Sequence, residues 1–217
     1  MKKLLTICSV IALSLGLVAC GETAESNTSV ETTDAEISTE ENTSETVEEV
    51  QQTEDTTVEE DSVLVVYFSV TGNTKDIAEK IASVTNADIY EIVPAQEYTD
   101  DDINWHDDNS RTSHEQNDPA ARPEIASDPV SLEGYSTIYI GFPIWWGEEP
   151  RIMDTFVESY NFDGITMIPF CTSGSSGIGR SGKNLEENAG SGNWLEGQRF
   201  GAGTPESEIQ SWIEGLQ

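Results

Sequence analysis

The chain has 217 residues and carries 41 acids against 10 bases, a net charge of −31 at pH 7. Such a polyanion repels phosphate polymers and anionic lipid headgroups, so no nucleic acid is expected as a partner and membrane attachment must be covalent or hydrophobic. The three cysteines, Cys8, Cys20 and Cys171, are too scattered for a disulfide framework or a zinc site.

Lys2 and Lys3 precede an apolar run from Leu4 to Ala19. The run is short for a membrane span and reads as a secretory signal peptide over residues 1–19. Its end, Leu17-Val18-Ala19-Cys20-Gly21, resembles a bacterial lipobox. That resemblance implies cleavage before Cys20 and a diacylglyceryl group on its thiol. Two acyl chains suffice for stable anchoring where one is marginal. The expected location is the extracytoplasmic face of a bacterial cell membrane.

Residues 20–61 form an acidic linker. Fifteen acids fall between Gly21 and Asp61, with no base and no aromatic. Such a segment cannot bury enough apolar surface to offset its ordering entropy, so disorder is expected. A flexible chain of this length averages roughly 35 Å end to end, and like charges extend it further. Residues 62–217 keep 26 acids and eight bases, so the domain is acidic in its own right.

From residue 62 onward, strands and helices alternate. Ser62-Val63-Leu64-Val65-Val66-Tyr67-Phe68-Ser69 is a continuous apolar run, as in a strand buried on both faces. A helix is predicted over 73–84, with Ile77, Ala78, Ile81 and Ala82 on one face. A second strand spans 87–93, stopped by Pro94. The polar stretch 95–131 is long for a loop, so a short helix is expected within it, around 110–116. A third strand follows at 137–142, a helix over 150–160, and a fourth strand at 165–171. After a Gly- and Ser-rich turn come a short helix, a short fifth strand at 198–201, and a helix over 205–216 with Ile209, Trp212, Ile213 and Leu216. This alternation predicts an α/β doubly wound sheet, which places ligands at the carboxyl ends of its strands.

Three of those ends carry informative residues. Strand one runs into Ser69-Val70-Thr71-Gly72-Asn73-Thr74, a hydroxyl-rich turn at a helix N-terminus that suits a phosphate without needing Lys or Arg. Read only as a helix cap, it would need just Asn73 or Thr74. Strand three runs into Pro143-Ile144-Trp145-Trp146-Gly147, where one Trp is expected to pack and the other to stack on a flat ligand. Strand four runs into Cys171-Thr172-Ser173-Gly174-Ser175-Ser176-Gly177, whose small residues allow close backbone approach.

Together, these loops resemble the flavodoxin family across the whole globular part, in a bacterial subgroup with a Trp-rich loop. Ser69 to Thr74 resembles the family's [S/T]-x-T-G-x-T phosphate loop. The resemblance implies a five-stranded parallel sheet in order 2-1-3-4-5 with helices on both faces. It also implies non-covalent FMN and one- or two-electron transfer. By position, Ser69, Thr71, Gly72, Asn73 and Thr74 would hold the phosphate. Pro143, Trp145, Trp146 and Gly147 would line one side of the ring, and Thr172, Ser173, Gly174 and Gly177 its other edge. The second ring loop offers no aromatic, which leaves one ring face less covered. The implied partner is a redox protein, a quinone or a small-molecule electron acceptor, as in a carrier or a flavin or quinone reductase.

Other signals point elsewhere. Gly177-Ile178-Gly179-Arg180-Ser181-Gly182 matches G-x-G-x-x-G, but no long strand–helix–strand unit frames it. Ser175-Ser176 lacks the frame of a nucleophile elbow. His106, Asp107, Asp108 and His114 lack metal-ligand spacing, and Cys171 reads as a buried strand residue. The competing reading is a lipoprotein that keeps the fold, binds no flavin and serves as a surface interaction module.

Overall fold

The computed structural model describes residues 62–216. The expected signal peptide, the expected lipidation site Cys20 and the expected acidic linker lie outside the described residues. No helix within residues 62–216 is long and apolar enough to cross a membrane.

Strands β1 (Ser62–Tyr67), β2 (Asp88–Glu91), β3 (Tyr135–Pro143) and β4 (Thr166–Thr172) form a parallel sheet in the order β2-β1-β3-β4. The fifth position is shared by two short pieces, β5 (Asn193–Trp194) and β6 (Gln198–Phe200), which both pair with β4. The order 2-1-3-4-5 is therefore the one expected. The fifth strand expected at 198–201 corresponds to β6, and β5 is an additional piece before it. Pro169 explains the interruption. Odd-numbered residues of β4 direct their backbone to this edge: Asn193 N–H donates to Ile165 O, Leu195 N–H to Met167 O, and Ser173 N–H to Phe200 O. Pro169 falls in that series and has no N–H to offer, so the ladder lapses there. Gly197 sits in the gap, where a Cβ would come within 2.8 Å of Pro169 O.

The central strands β1, β3 and β4 are buried on both faces, as their unbroken apolar runs predicted, while the edge strand β2 is half-exposed. Leu64, Val66, Phe68, Ile138, Ile140 and Phe142 face one core, shared with helix α3 (Arg151–Glu158) and with Leu185 of helix α4 (Ser181–Ala189). Val65, Tyr67, Tyr139, Ile168 and Phe170 face the other, covered by helices α1 (Asn73–Thr85) and α5 (Glu206–Glu214). Ile77, Ala78 and Ile81 recur at helical spacing on the inner side of α1, as do Ile209 and Ile213 on α5. Each large aliphatic so buried contributes about 1.5–3 kcal/mol. Gly141 lets the two central strands interleave, since a Cβ there would lie 2.1 Å from the Phe170 ring.

The long excursion 95–131 is built, not loose. Its ends pair antiparallel, with Ala95 N–H to Glu124 O and Ala126 N–H to Val93 O. It contains helix α2 (Arg111–Asn117), close to the expected position, whose N-cap Ser110 accepts from Ser113 N–H. Thr112 Oγ1 donates to Asp102 O, folding the preceding turn onto the helix. The whole segment is thereby held at the carboxyl end of the sheet.

Candidate functional site

The first loop is a helix start with its cap left open. Gly72, at φ +83°, occupies the N-cap of α1, and no side chain bonds the first-turn N–H groups. Neither Asn73 nor Thr74 serves as a side-chain cap, which leaves the N-terminus open as the phosphate reading expects. Gly is required because the left-handed conformation disfavours any residue with a Cβ. Asn73 Nδ2 donates to Thr71 Oγ1 at 3.0 Å, bracing the turn. The Thr74 hydroxyl is buried and lies 2.8 Å from Thr172 Oγ1, so it joins α1 to β4. Ser69 Oγ is shut off from solvent and has no hydrogen-bond partner among the described residues. Exposed N–H groups at a helix N-terminus suit an anion.

The second loop is a tight hairpin. Trp145 N–H donates to Glu148 O at 2.9 Å and Glu148 N–H to Trp145 O at 3.0 Å. The two residues between them, Trp146 and Gly147, have φ +54° and +89°. Two successive positive values mark a mirror-image type I′ turn, which favours Asn-Gly or Gly-Gly. A Trp in the left-handed region is an outlier of the kind that collects at ligand sites. The two Trp divide their roles. Trp145 packs edge-on against Phe68 (5.4 Å) and Tyr98 (5.1 Å). Trp146 stays 44% exposed at the tip of the turn.

Gln116 of α2 braces this hairpin, a contact the sequence did not reveal. Its Nε2 donates to Trp145 O and Glu149 O, both at 3.1 Å. Beneath the turn lies a buried charge cluster. Arg151 reaches Glu148 Oε2 at 3.2 Å, Asp154 Oδ2 at 3.5 Å and Glu149 Oε1 at 3.9 Å. Burial raises the pKa of Glu149 and of Asp154 above the ordinary carboxylate values, and the neighbouring guanidiniums and amides offset this only in part.

The third loop hangs from one arginine. Arg199 of β6 donates through Nη2 to Ser173 O at 2.6 Å and to Gly174 O at 2.9 Å, and its Nε lies 3.3 Å from Ser173 Oγ. Ser173 Oγ in turn donates to Ser176 O. The loop is thus fixed rather than flexible. Cys171, just before it, is fully buried, and burial pushes its thiol up to about 12, so it is no nucleophile.

These loops enclose two clefts. One, of about 190 Å³, is lined by Thr71, Asn73, Pro143, Thr172, Ser173, Gly174 and Ala202. The other, of about 340 Å³, is lined by Trp145, Trp146, Gly147, Ile144, Ser176, Ile103, Trp105 and Thr112. Most of the expected residues meet here. Ser69 lines a separate cleft beside Glu91, Pro94 and Tyr98. Ser176 borders the larger cleft where Gly177 was expected. Trp105, 66% exposed, and Ile103 enter from the 95–131 excursion. They add apolar wall to the larger cleft from outside the three loops. Their signal in the sequence is that two large apolar residues stand among the Asp and Asn residues of 100–109. No group of three or more His, Cys, Asp or Glu suited to a metal exists among the described residues.

A family model described as Flavodoxin matches residues 62–216. Among solved structures, a candidate flavoprotein from Bacteroides uniformis ATCC 8492 is 45% identical, with a TM-score of 0.68, covering 71% of this chain and 98% of that one. A candidate flavoprotein from Bacteroides eggerthii DSM 20697 is 42% identical, with a TM-score of 0.67, covering 71% and 97%. A flavoprotein from Lactobacillus acidophilus NCFM, solved in complex with FMN, is 23% identical with a TM-score of 0.53, covering 70% and 99%, a likeness of fold. No curated protein matches the chain. The Bacteroides structures consist almost wholly of the equivalent domain, and both hydrophobic cores lie within residues 62–216. A fragment of this extent therefore carries both cores found among the described residues.

Proposed function

The chain belongs to the flavodoxin family, and on that premise we propose that it binds FMN at the carboxyl end of its sheet and carries electrons outside the cytoplasm. The observation that carries this reading is the pair of clefts. The smaller one, lined by the hydroxyls of Thr71, Thr172 and Ser173, opens beside the uncapped N-terminus of α1, and the larger one is lined by three Trp residues. A phosphate with a polyol chain suits the first, and a flat ring suits the second. The residues present fit the group. The α1 N-terminus and the Thr71 and Asn73 side chains would hold the phosphate. Thr172, Ser173 and Gly174 would face the chain, and Trp146 would lie against the ring. When bound, the flavin supplies one- or two-electron chemistry. The protein's part is to orient it, to exclude water from the inner side through Trp145 and Phe68, and to surround it with negative charge.

The N-terminal address completes the proposal. Lipidation at Cys20 would tether the domain through its acidic linker, and the electron acceptor would be a redox protein, a quinone or a small molecule. A Cys20→Ser variant expressed in a bacterial host should leave the detergent phase for the aqueous one. Retention in the detergent phase would remove the lipid anchor from the proposal.

The deciding experiment is titration of the 62–217 domain with FMN while Trp fluorescence is followed. Saturable quenching is expected with FMN and not with riboflavin, and it should be lost on Thr71→Ala or Trp146→Ala. No quenching at micromolar FMN would overturn the electron-carrier reading in favour of a flavin-free interaction module.

A further inference from the structure

Trp146 stands between two cavities. One face of its turn borders the Trp-lined cleft, and it also lines a second cavity of about 270 Å³ with Asp108, Ser113, Gln116, Asn117 and Glu148. The flavin reading makes no use of this second cavity.

Its chemistry is one-sided. The Gln116 and Ser113 side-chain donors on its walls are already spent on the protein, and Asn117 is partly so. Gln116 Nε2 serves Trp145 O and Glu149 O, Asn117 Nδ2 serves Ser113 O, and Ser113 Oγ donates to Asp107 O. What remains for a ligand is chiefly two carboxylates and the Trp146 indole, which offers a ring face and one N–H. Asp108 has no hydrogen-bond or ion-pair partner among the described residues. Glu148 is engaged through one oxygen only, Oε2, with Arg151. The Trp146 indole, 44% exposed, supplies a π-face. Two carboxylates beside an indole match a group that is positively charged, rich in N–H donors and partly apolar. A bare metal ion fits less well, because the wall lacks a third carboxylate and Trp146 offers it no ligand atom.

We propose that the cavity formed by Asp108, Glu148 and Trp146 is a binding site for an organic cation, an alkylammonium or guanidinium group. The group comes either from a small-molecule amine or from a basic side chain of a protein partner. Either source would come to rest one indole away from the Trp-lined cleft. The site needs no flavin, so it is tested on the flavin-free domain and stands or falls apart from FMN binding.

The test follows the Trp146 indole N–H resonance of the 62–217 domain by ¹H–¹⁵N NMR, assigned with a Trp146→Phe variant. Agmatine, with an ammonium at one end and a guanidinium at the other, and the peptide Gly-Arg-Gly are the probes. A saturable shift with either probe is expected, with its midpoint raised about tenfold or more by Asp108→Asn and by Glu148→Gln. Saturation by agmatine alone assigns the site to a small molecule, and saturation by the peptide alone assigns it to a partner's basic side chain. A drift no larger than sodium chloride produces at equal ionic strength, or midpoints unchanged in both variants, would overturn the site.

Discussion

Thr74 and Thr172 lie 98 residues apart in sequence, yet their hydroxyl oxygens are 2.8 Å apart and buried. This single contact ties the first turn of α1, at the expected phosphate loop, to the end of β4, where the third loop begins. Thr74→Val should break it and strand the Thr172 hydroxyl, at a cost of about 1–2 kcal/mol. Removing both hydroxyls as Thr74→Val with Thr172→Val should cost less than the sum of the two single changes. Urea unfolding of the four proteins measures the cycle. Additive losses would mean that the two threonines act separately.

Trp146 should trade stability for binding. At φ +54° it sits where Asn is tolerated and a bulky residue is strained. Trp146→Asn is expected to leave thermal stability unchanged or raise it, by up to about 1 kcal/mol. The same change should abolish FMN-dependent quenching by removing the exposed ring. A variant that lost several degrees of Tm would show that the indole is structural rather than held for a ligand.

The strands that matter for the site could be read in the sequence because burial on both faces leaves an unbroken apolar run, as in Val63 to Phe68. The loops after β1, β3 and β4 could be read because their residue types are unusual at strand ends. Edge features escaped notice. A two-residue strand such as β5 has no periodicity, and its break depends on Pro169 in a neighbouring strand. The open cap at Gly72 was hidden because Asn73 and Thr74 are both good cap residues. Gln116, Arg199 and Trp105 reach the site only through tertiary structure. No local spacing links Gln116 to Trp145, or Arg199 to Ser173.

Arg199 should act on the site through the loop it holds. Arg199→Gln removes three contacts to Ser173 and Gly174. FMN affinity is expected to fall about tenfold, in line with losing one or two charge-assisted hydrogen bonds that order a binding loop. Arg199→Lys should recover little, since one ammonium cannot copy the fork. Parallel FMN titrations of the three proteins provide the check, and full recovery by Lys would point to charge alone.

The buried carboxyls give a pH dependence of known sign. Burial raises the folded pKa of Glu149 and Asp154 above ordinary values of 4.5 and 3.8. The folded state then holds their protons more tightly than the unfolded state. Their contribution is fully present below those values and is lost as pH rises through the raised ones. Glu149→Gln removes one such loss. Its urea midpoint, relative to wild type, should therefore climb between pH 4 and pH 8. A difference that stays flat would mean that Arg151 compensates the Glu149 charge in full.

Charge should also set the direction of the redox potential. The domain carries 26 acids and eight bases, so adding an electron to bound FMN adds negative charge to negative surroundings. The midpoint potential should lie below that of free FMN. Exposed acids are screened by salt, with a Debye length of about 10 Å at 0.1 M and about 3 Å at 1 M. The potential should therefore rise toward the free value as salt is added, while the aromatic contacts of Trp146 are unaffected. Spectroelectrochemical titration at both salt concentrations separates the two influences. A low potential that ignores salt would assign the effect to the ring contacts, and a potential above that of free FMN would show that Arg199 and the helix N-terminus outweigh the acidic surface.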